Sequence, residues 1–242
     1  MTQNKHGLDR ELDQAPSHEL DRELGQAPIH ELDRELVQAP NHEPNRKLDQ
    51  APILHSKQER LPLVTTIVRP TIPMSYVVGV PQVCALAVRD ALADCGHKSD
   101  LLWPSSLTCD GATFHVSARA GYDDDGMYLT CELEYIGELP TGFTAELVDT
   151  HIVRRIAAWE HEIAAGRSKA GPLAAVLLEL FDATPLLGKE CVALGSTGHP
   201  LCSGHFVAID VWGRATVRVA DGSEREFAPE HARIVAANVS LS

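Results

Sequence analysis

The first fifty residues repeat with a period of twelve. HGLDRELDQAPS, HELDRELGQAPI, HELDRELVQAPN and HEPNRKLDQAPI begin at His6, His18, His30 and His42. Each unit offers at most two leucines as apolar anchors and ends in Ala-Pro. Proline deletes a helical N–H and costs ~3 kcal/mol inside a helix, so a helix breaks once in every unit. The short stretches between breaks are marginal as isolated helices in water. A regular period normally suggests a solenoid, but units so poor in apolar surface cannot stack into one. Residues 1–58 are therefore expected to form a repeat tail of frayed helices or disorder. The fold must be built from residues 59–242. The four histidines lack ligand spacing on any single element, so no metal is expected there.

The totals bound the rest. The chain has 242 residues, 44% of them hydrophobic and 23% charged, as in soluble globular proteins. The net charge of −13 is spread over tail and body alike. A nucleic-acid footprint needs clustered Lys and Arg, and an anionic membrane surface needs the same, so neither partner is expected. The N-terminus has no apolar signal region, and no run approaches the ~20 apolar residues of a membrane span. Cys84, Cys95, Cys109, Cys131, Cys191 and Cys202 include no C-x-x-C pair. They read as reduced, mostly buried thiols of a cytoplasmic protein, with no zinc site.

From Leu61 the pattern changes. LPLVTTIVRP is rich in β-branched residues and reads as a strand ending at Arg69-Pro70. VPQVCALAVRDALADCG reads as a helix, with Pro81 in the first helical position and Gly96 as its stop. ATFHVSARAGY and MYLTCELEY read as two strands joined through Asp123-Asp124-Asp125-Gly126, a solvated hairpin turn. ELVDTHIVRRIAAWEHEIAAG predicts a helix with Leu147, Ile152, Ile156, Trp159 and Ile163 facing inward and Gly166 as its stop. GPLAAVLLELFDA predicts a second helix opened by Pro172. The remaining sequence reads as short strands, with Asp221-Gly222 as a tight turn, and predicts a small β-barrel over 185–242. The fold class is α+β: a mixed sheet with packed helices over 59–184, then the barrel.

This order of elements resembles the biotin protein ligases. In that family a strand ending in Arg-Pro precedes a helix, then the signature Lys-Trp-Pro-Asn-Asp, an Asp-Gly turn with a Lys-x-x-Gly strand, helices and a C-terminal SH3-like barrel. TIVRPTIP, LLWPSSLTCDG and the segment from PLLGKECVALG to HARIV follow that order here. The resemblance implies a class II synthetase-like ligase domain that joins biotin to Mg·ATP as biotinyl-5′-AMP. It implies transfer of biotin to a biotin carboxyl carrier domain, and homodimer formation.

On the same resemblance, the family-equivalent substrate-binding positions are Trp103, Pro104, Ser105, Ser106 and Thr113. Leu102, Ser105 and Ser106 stand where the signature has Lys, Asn and Asp. Thr113 and Val116 stand where the next strand has Lys and Gly. Glu132 and Glu134 replace glycines of a Gly-x-Gly-x-Asn strand, where they would repel a phosphate. The basic Gly-Arg-Gly-Arg loop has no counterpart upstream of Leu61, so the resemblance implies a divergent, N-terminally truncated member. Losing one preorganised charge stabiliser typically costs ~3 kcal/mol, or 10²–10³ in rate. With several replaced together, no catalytic residue is assigned, and the chain is expected to be a weak or inactive pseudoenzyme. The alternative expectation is a non-catalytic protein-binding or regulatory module that uses its C-terminal barrel.

Overall fold

The computed structural model describes residues 59–237. The repeat tail predicted over 1–58 lies outside the described residues. Everything below concerns residues 59–237. Its elements are β1 (Leu61–Val68), α1 (Val80–Asp94), β2 (Asp100–Leu102), β3 (Ser106–Cys109), β4 (Ala112–Asp123), β5 (Gly126–Ile136), α2 (Ala145–Ala164), α3 (Leu177–Ala183), β6 (Glu190–Gly195), β7 (Pro200–Ile209), β8 (Ala215–Val219), β9 (Glu224–Phe227) and β10 (Ala232–Ala236). A 3-10 turn over Met74–Gly79 leads into α1. The boundary expected at 184/185 falls in the connection between α3 and β6.

The first sheet runs β1-β5-β4-β3-β2, and all four pairings are antiparallel. It is therefore not the mixed sheet that the sequence suggested. β2 to β5 form a meander, and β1 enters beside β5 pointing the opposite way. The predicted hairpin forms as read, with Asp123 paired to Gly126. Arg69, just beyond β1, pins it: its guanidinium makes bonds of 2.8 and 2.5 Å to the Asp123 carboxylate and lies 5.5 Å from the centre of the Tyr128 ring.

The inner face of this sheet presents Leu107, Phe114, Val116, Leu129, Cys131 and Leu133, all buried against the helices. α1 lies across them, with ten of its fifteen residues buried, because α2 covers its other side. The Met74–Asp94 segment is long and apolar enough by composition to cross a membrane, contrary to the sequence reading, but most of it is buried inside protein as a core helix. Pro81 stands one position later than expected because Gly79 is the N-cap. Gly96 ends the helix at φ +83°, the conformation that favours glycine there. In α2, Thr144 caps the first turn by accepting from the Leu147 N–H at 3.3 Å. Ile152, Ile156 and Trp159 are buried as predicted, whereas Leu147 and Ile163 are half-buried and His151 takes an inward place. His151 is satisfied there by Asp94, 2.9 Å from Nε2, and by Arg154, 2.9 Å from Nδ1.

The helix predicted from Pro172 begins only at Leu177. The preceding residues are engaged elsewhere. The Pro172 carbonyl accepts from the Trp159 indole at 2.7 Å, and the Leu173 N–H donates to Val211 at 3.0 Å. A Cβ on Gly171 would stand 2.8 Å from Val211 Cγ2. These contacts hold 171–176 as turns against the second sheet.

That second sheet is antiparallel, in the order β10-β6-β7-β8-β9, with bulges between Ala193 and Leu194 and between Phe206 and Ala208. The Asp221-Gly222 turn is present, and the Asp221 carboxylate accepts from the Ser223 N–H at 2.8 Å and from its hydroxyl at 2.6 Å. Among the described residues β9 pairs with β8 and β10 with β6.

Trp103 links the two sheets. It leaves the end of β2 in the first sheet, yet its indole is 2% exposed within the core of the second, among Phe206, Ile209, Ala215 and Ile234. Its Nε1–H donates to the Gly213 carbonyl at 2.9 Å. The cost of a large buried aromatic truncated to alanine is about 3–5 kcal/mol. Trp103→Ala is therefore expected to lower unfolding stability by about that amount, read as a shift of the urea midpoint. A change below about 1 kcal/mol would show that the indole is not a core side chain.

Candidate functional site

Strand alternation builds the site. On β4, Phe114 and Val116 point into the core, so Thr113, His115, Ser117 and Arg119 fall on the opposite, open face. On β5, Glu134 lies directly across from His115 and Glu132 across from Ser117. On the other side, β3 places Ser106 opposite His115. At the end of this face nearest Trp103, a cavity of about 960 Å³ opens against the second sheet. Trp103, Pro104, Ser106 and Thr113 line it, together with Arg60, His115, the turn Ser196-Thr197-Gly198 and residues 229–235.

Four of the five positions expected from the resemblance to bind substrate are thus brought together. Ser105 is not among them: it is buried, its hydroxyl donates to the Val116 carbonyl at 2.9 Å, and its own carbonyl accepts from the Val116 N–H at 3.2 Å. It fastens the β2–β3 connection to β4. Leu102 also lines the cavity, and its side chain contributes only apolar surface. The peptide between Trp103 and Pro104 is cis.

The charges around the cavity differ from the sequence expectation in one respect. Arg60, just before β1, and Arg233, on β10, both line it, while Glu230 is the one acidic residue and no lysine is present among the described lining residues. The two glutamates of β5 are each set beside an arginine: Glu134 lies 3.7 Å from Arg60, and Glu132 lies 3.1 Å from Arg119. An anion entering the cavity therefore shares Arg60 with Glu134. Ser106 Oγ lies 3.0 Å from His115 Nδ1. Burial, with Arg60 and Arg233 nearby, pushes the His115 pKa down against the opposing pull of Glu134. The arrangement can hold an anionic group between two guanidinium groups and offer it a hydroxyl and a neutral imidazole. Sequence reading passed over Arg60, His115 and Arg233. The alternation Thr113, His115, Ser117, Arg119 marks the open face of β4, but nothing in the sequence ties it to Arg60 or Arg233.

No protein-family model matches the chain, and no curated protein matches it in sequence. Solved structures do match it. The crystal structure of biotin protein ligase from Aquifex aeolicus shares 16% identity at a TM-score of 0.50, over 72% of this chain and 81% of that one. The same protein in complex with biotin and ATP shares 15% at a TM-score of 0.51, over 72% and 77%. The chain has a biotin protein ligase-like fold. At this identity the likeness is one of fold.

The depressed His115 pKa has a testable consequence. As pH falls through the ordinary imidazole value of ~6.5, the unfolded chain takes up a proton that the folded chain resists. This contribution to stability is therefore full above that value and declines as pH drops from 7 towards 5. The His115 Cε1–H resonance is expected to titrate below the ordinary midpoint, and His115→Gln to flatten this part of the pH–stability curve. Titration at or above ~6.5 would contradict the assignment.

Proposed function

We propose that the chain is a biotin protein ligase-like protein that retains the ligase scaffold and ligand cavity but forms biotinyl-5′-AMP weakly or not at all. One observation carries this reading: family-equivalent residues Trp103, Pro104, Ser106 and Thr113 line a single cavity with Leu102, yet neutral groups fill the signature's ionisable places. Adenylation requires an attacking carboxylate and a triphosphate to be neutralised and oriented together. Arg60 and Arg233 supply positive charge, which supports anion binding, but Arg60 is shared with Glu134. Glu132 and Glu134 add negative charge on the open face next to the cavity. In this reading the second sheet corresponds to the family's SH3-like barrel. The implied partners are a biotin carboxyl carrier domain and a second copy of the chain. The described cysteines are all free thiols, which supports a cytoplasmic setting.

Adenylate formation by the purified chain tests the reading. With biotin and Mg·ATP, the single-turnover rate is expected to be at least about 10³-fold below that of an active ligase assayed alongside. A rate within about tenfold of the active enzyme would overturn it.

A further inference from the structure

We infer that His97, Cys109 and Asp110 form a zinc-binding site with an open fourth position. His97 follows the C-terminal end of α1, Cys109 ends β3, and Asp110 begins the turn to β4. Their ligand atoms, Nδ1, Sγ and a carboxylate oxygen, all lie within 4.8 Å of one another. Nδ1 is 2.7 Å from Asp110 Oδ2, and Sγ is 3.7 Å from the same oxygen. A tetrahedral zinc, bonded at about 2.0–2.3 Å, spaces such ligand atoms roughly 3.3–3.7 Å apart. Seating the ion therefore requires side-chain shifts on the order of an ångström.

A second contact orients the ligands. His97 Nε2 lies 3.0 Å from the Thr141 carbonyl. A carbonyl can only accept, so Nε2 carries a proton and Nδ1 is the atom turned towards Asp110 and Cys109. A ligating histidine whose other N–H is held by a backbone carbonyl is the usual outer-shell arrangement at zinc. Without metal, a proton on Nδ1 bridges His97 to Asp110. Zinc takes that place, forming bonds to Nδ1, Sγ and Oδ2 and releasing the Nδ1 and thiol protons to solvent. One thiolate, one imidazole and one carboxylate favour zinc or cobalt over magnesium or calcium, which prefer all-oxygen sets. The Asp110 side chain is exposed, so a water completes the tetrahedron. None of the three residues lines the cavity described above, so the site stands independently of the proposed function. Sequence spacing hid it, since the ligands sit on elements that meet only in the fold. A bound ion would join the end of α1 to the β3–β4 turn and, through His97, to the Thr141 segment leading into α2.

Cobalt titration of the full chain tests the inference. The four repeat histidines are first replaced (His6→Gln, His18→Gln, His30→Gln, His42→Gln) so that they cannot compete. One equivalent of Co²⁺ is expected to give tetrahedral d–d bands with a thiolate charge-transfer band in the near ultraviolet, both abolished by Zn²⁺. Cys109→Ser is expected to remove the charge-transfer band. Asp110→Asn, at an exposed position that leaves folding intact, and His97→Gln are each expected to weaken Zn²⁺ binding at least about tenfold in competition with a chromophoric chelator. Absence of the thiolate band, or zinc affinity unchanged in Asp110→Asn, would overturn the site.

Discussion

The structure depends on one buried indole. Trp103 belongs by sequence to the first sheet and by packing to the second, where its ring lies among Phe206, Ile209 and Ile234. Its N–H is satisfied by the Gly213 carbonyl, which removes the penalty of burying an unpaired donor. Neighbouring contacts reinforce the junction: the Leu173 N–H donates to Val211, and the Trp159 indole holds the Pro172 carbonyl on the same stretch of chain. Both sheets are thereby fixed against each other, and the cavity is the space between them that Trp103 and Pro104 do not fill.

Scaffold and chemistry separate along the two faces of one strand. The inward residues of β4, Phe114 and Val116, keep the core continuous with α1. Of the outward residues, Thr113 and His115 line the cavity, and His115 and Ser117 lie across from Glu134 and Glu132 of β5. Substituting the open face leaves the packed face untouched, because side chains alternate with a period of two. The Ser105 hydroxyl is spent on the Val116 carbonyl, fastening the β2–β3 connection to β4, so it is held away from the cavity.

Much of the first sheet was legible because it rests on local signals. The Asp-Gly turn at 125–126 set the β4–β5 hairpin, and Gly96 marked a helix end. Departures occurred where distant residues compete for the backbone. Residues 171–176 look helical in sequence, but Trp159 and Val211 claim their polar groups, so α3 starts late. His151 looks exposed by type, yet Asp94 and Arg154 satisfy both ring nitrogens and let it sit inside. The site followed the same division. Trp103, Pro104, Ser106 and Thr113, expected from the resemblance, lie close together in the sequence, whereas Arg60 and Arg233 reach the cavity only through the pairing of β1 with β5 and of β10 with β6. The His97–Asp110 contact spans a helix end and a turn, and no periodicity announces it.

Trp103 locks both sheets into one cooperative unit around the cavity. Hydrogen exchange at the three indole N–H groups tests it most directly, since a group exposed only by global unfolding exchanges at the global rate. Trp103 and Trp159 are expected to exchange together, with the protection of full unfolding, while the partly exposed Trp212 exchanges much faster. Rapid exchange at Trp103 beside a protected Trp159 would show that the second sheet opens independently and that Trp103 does not lock the two together.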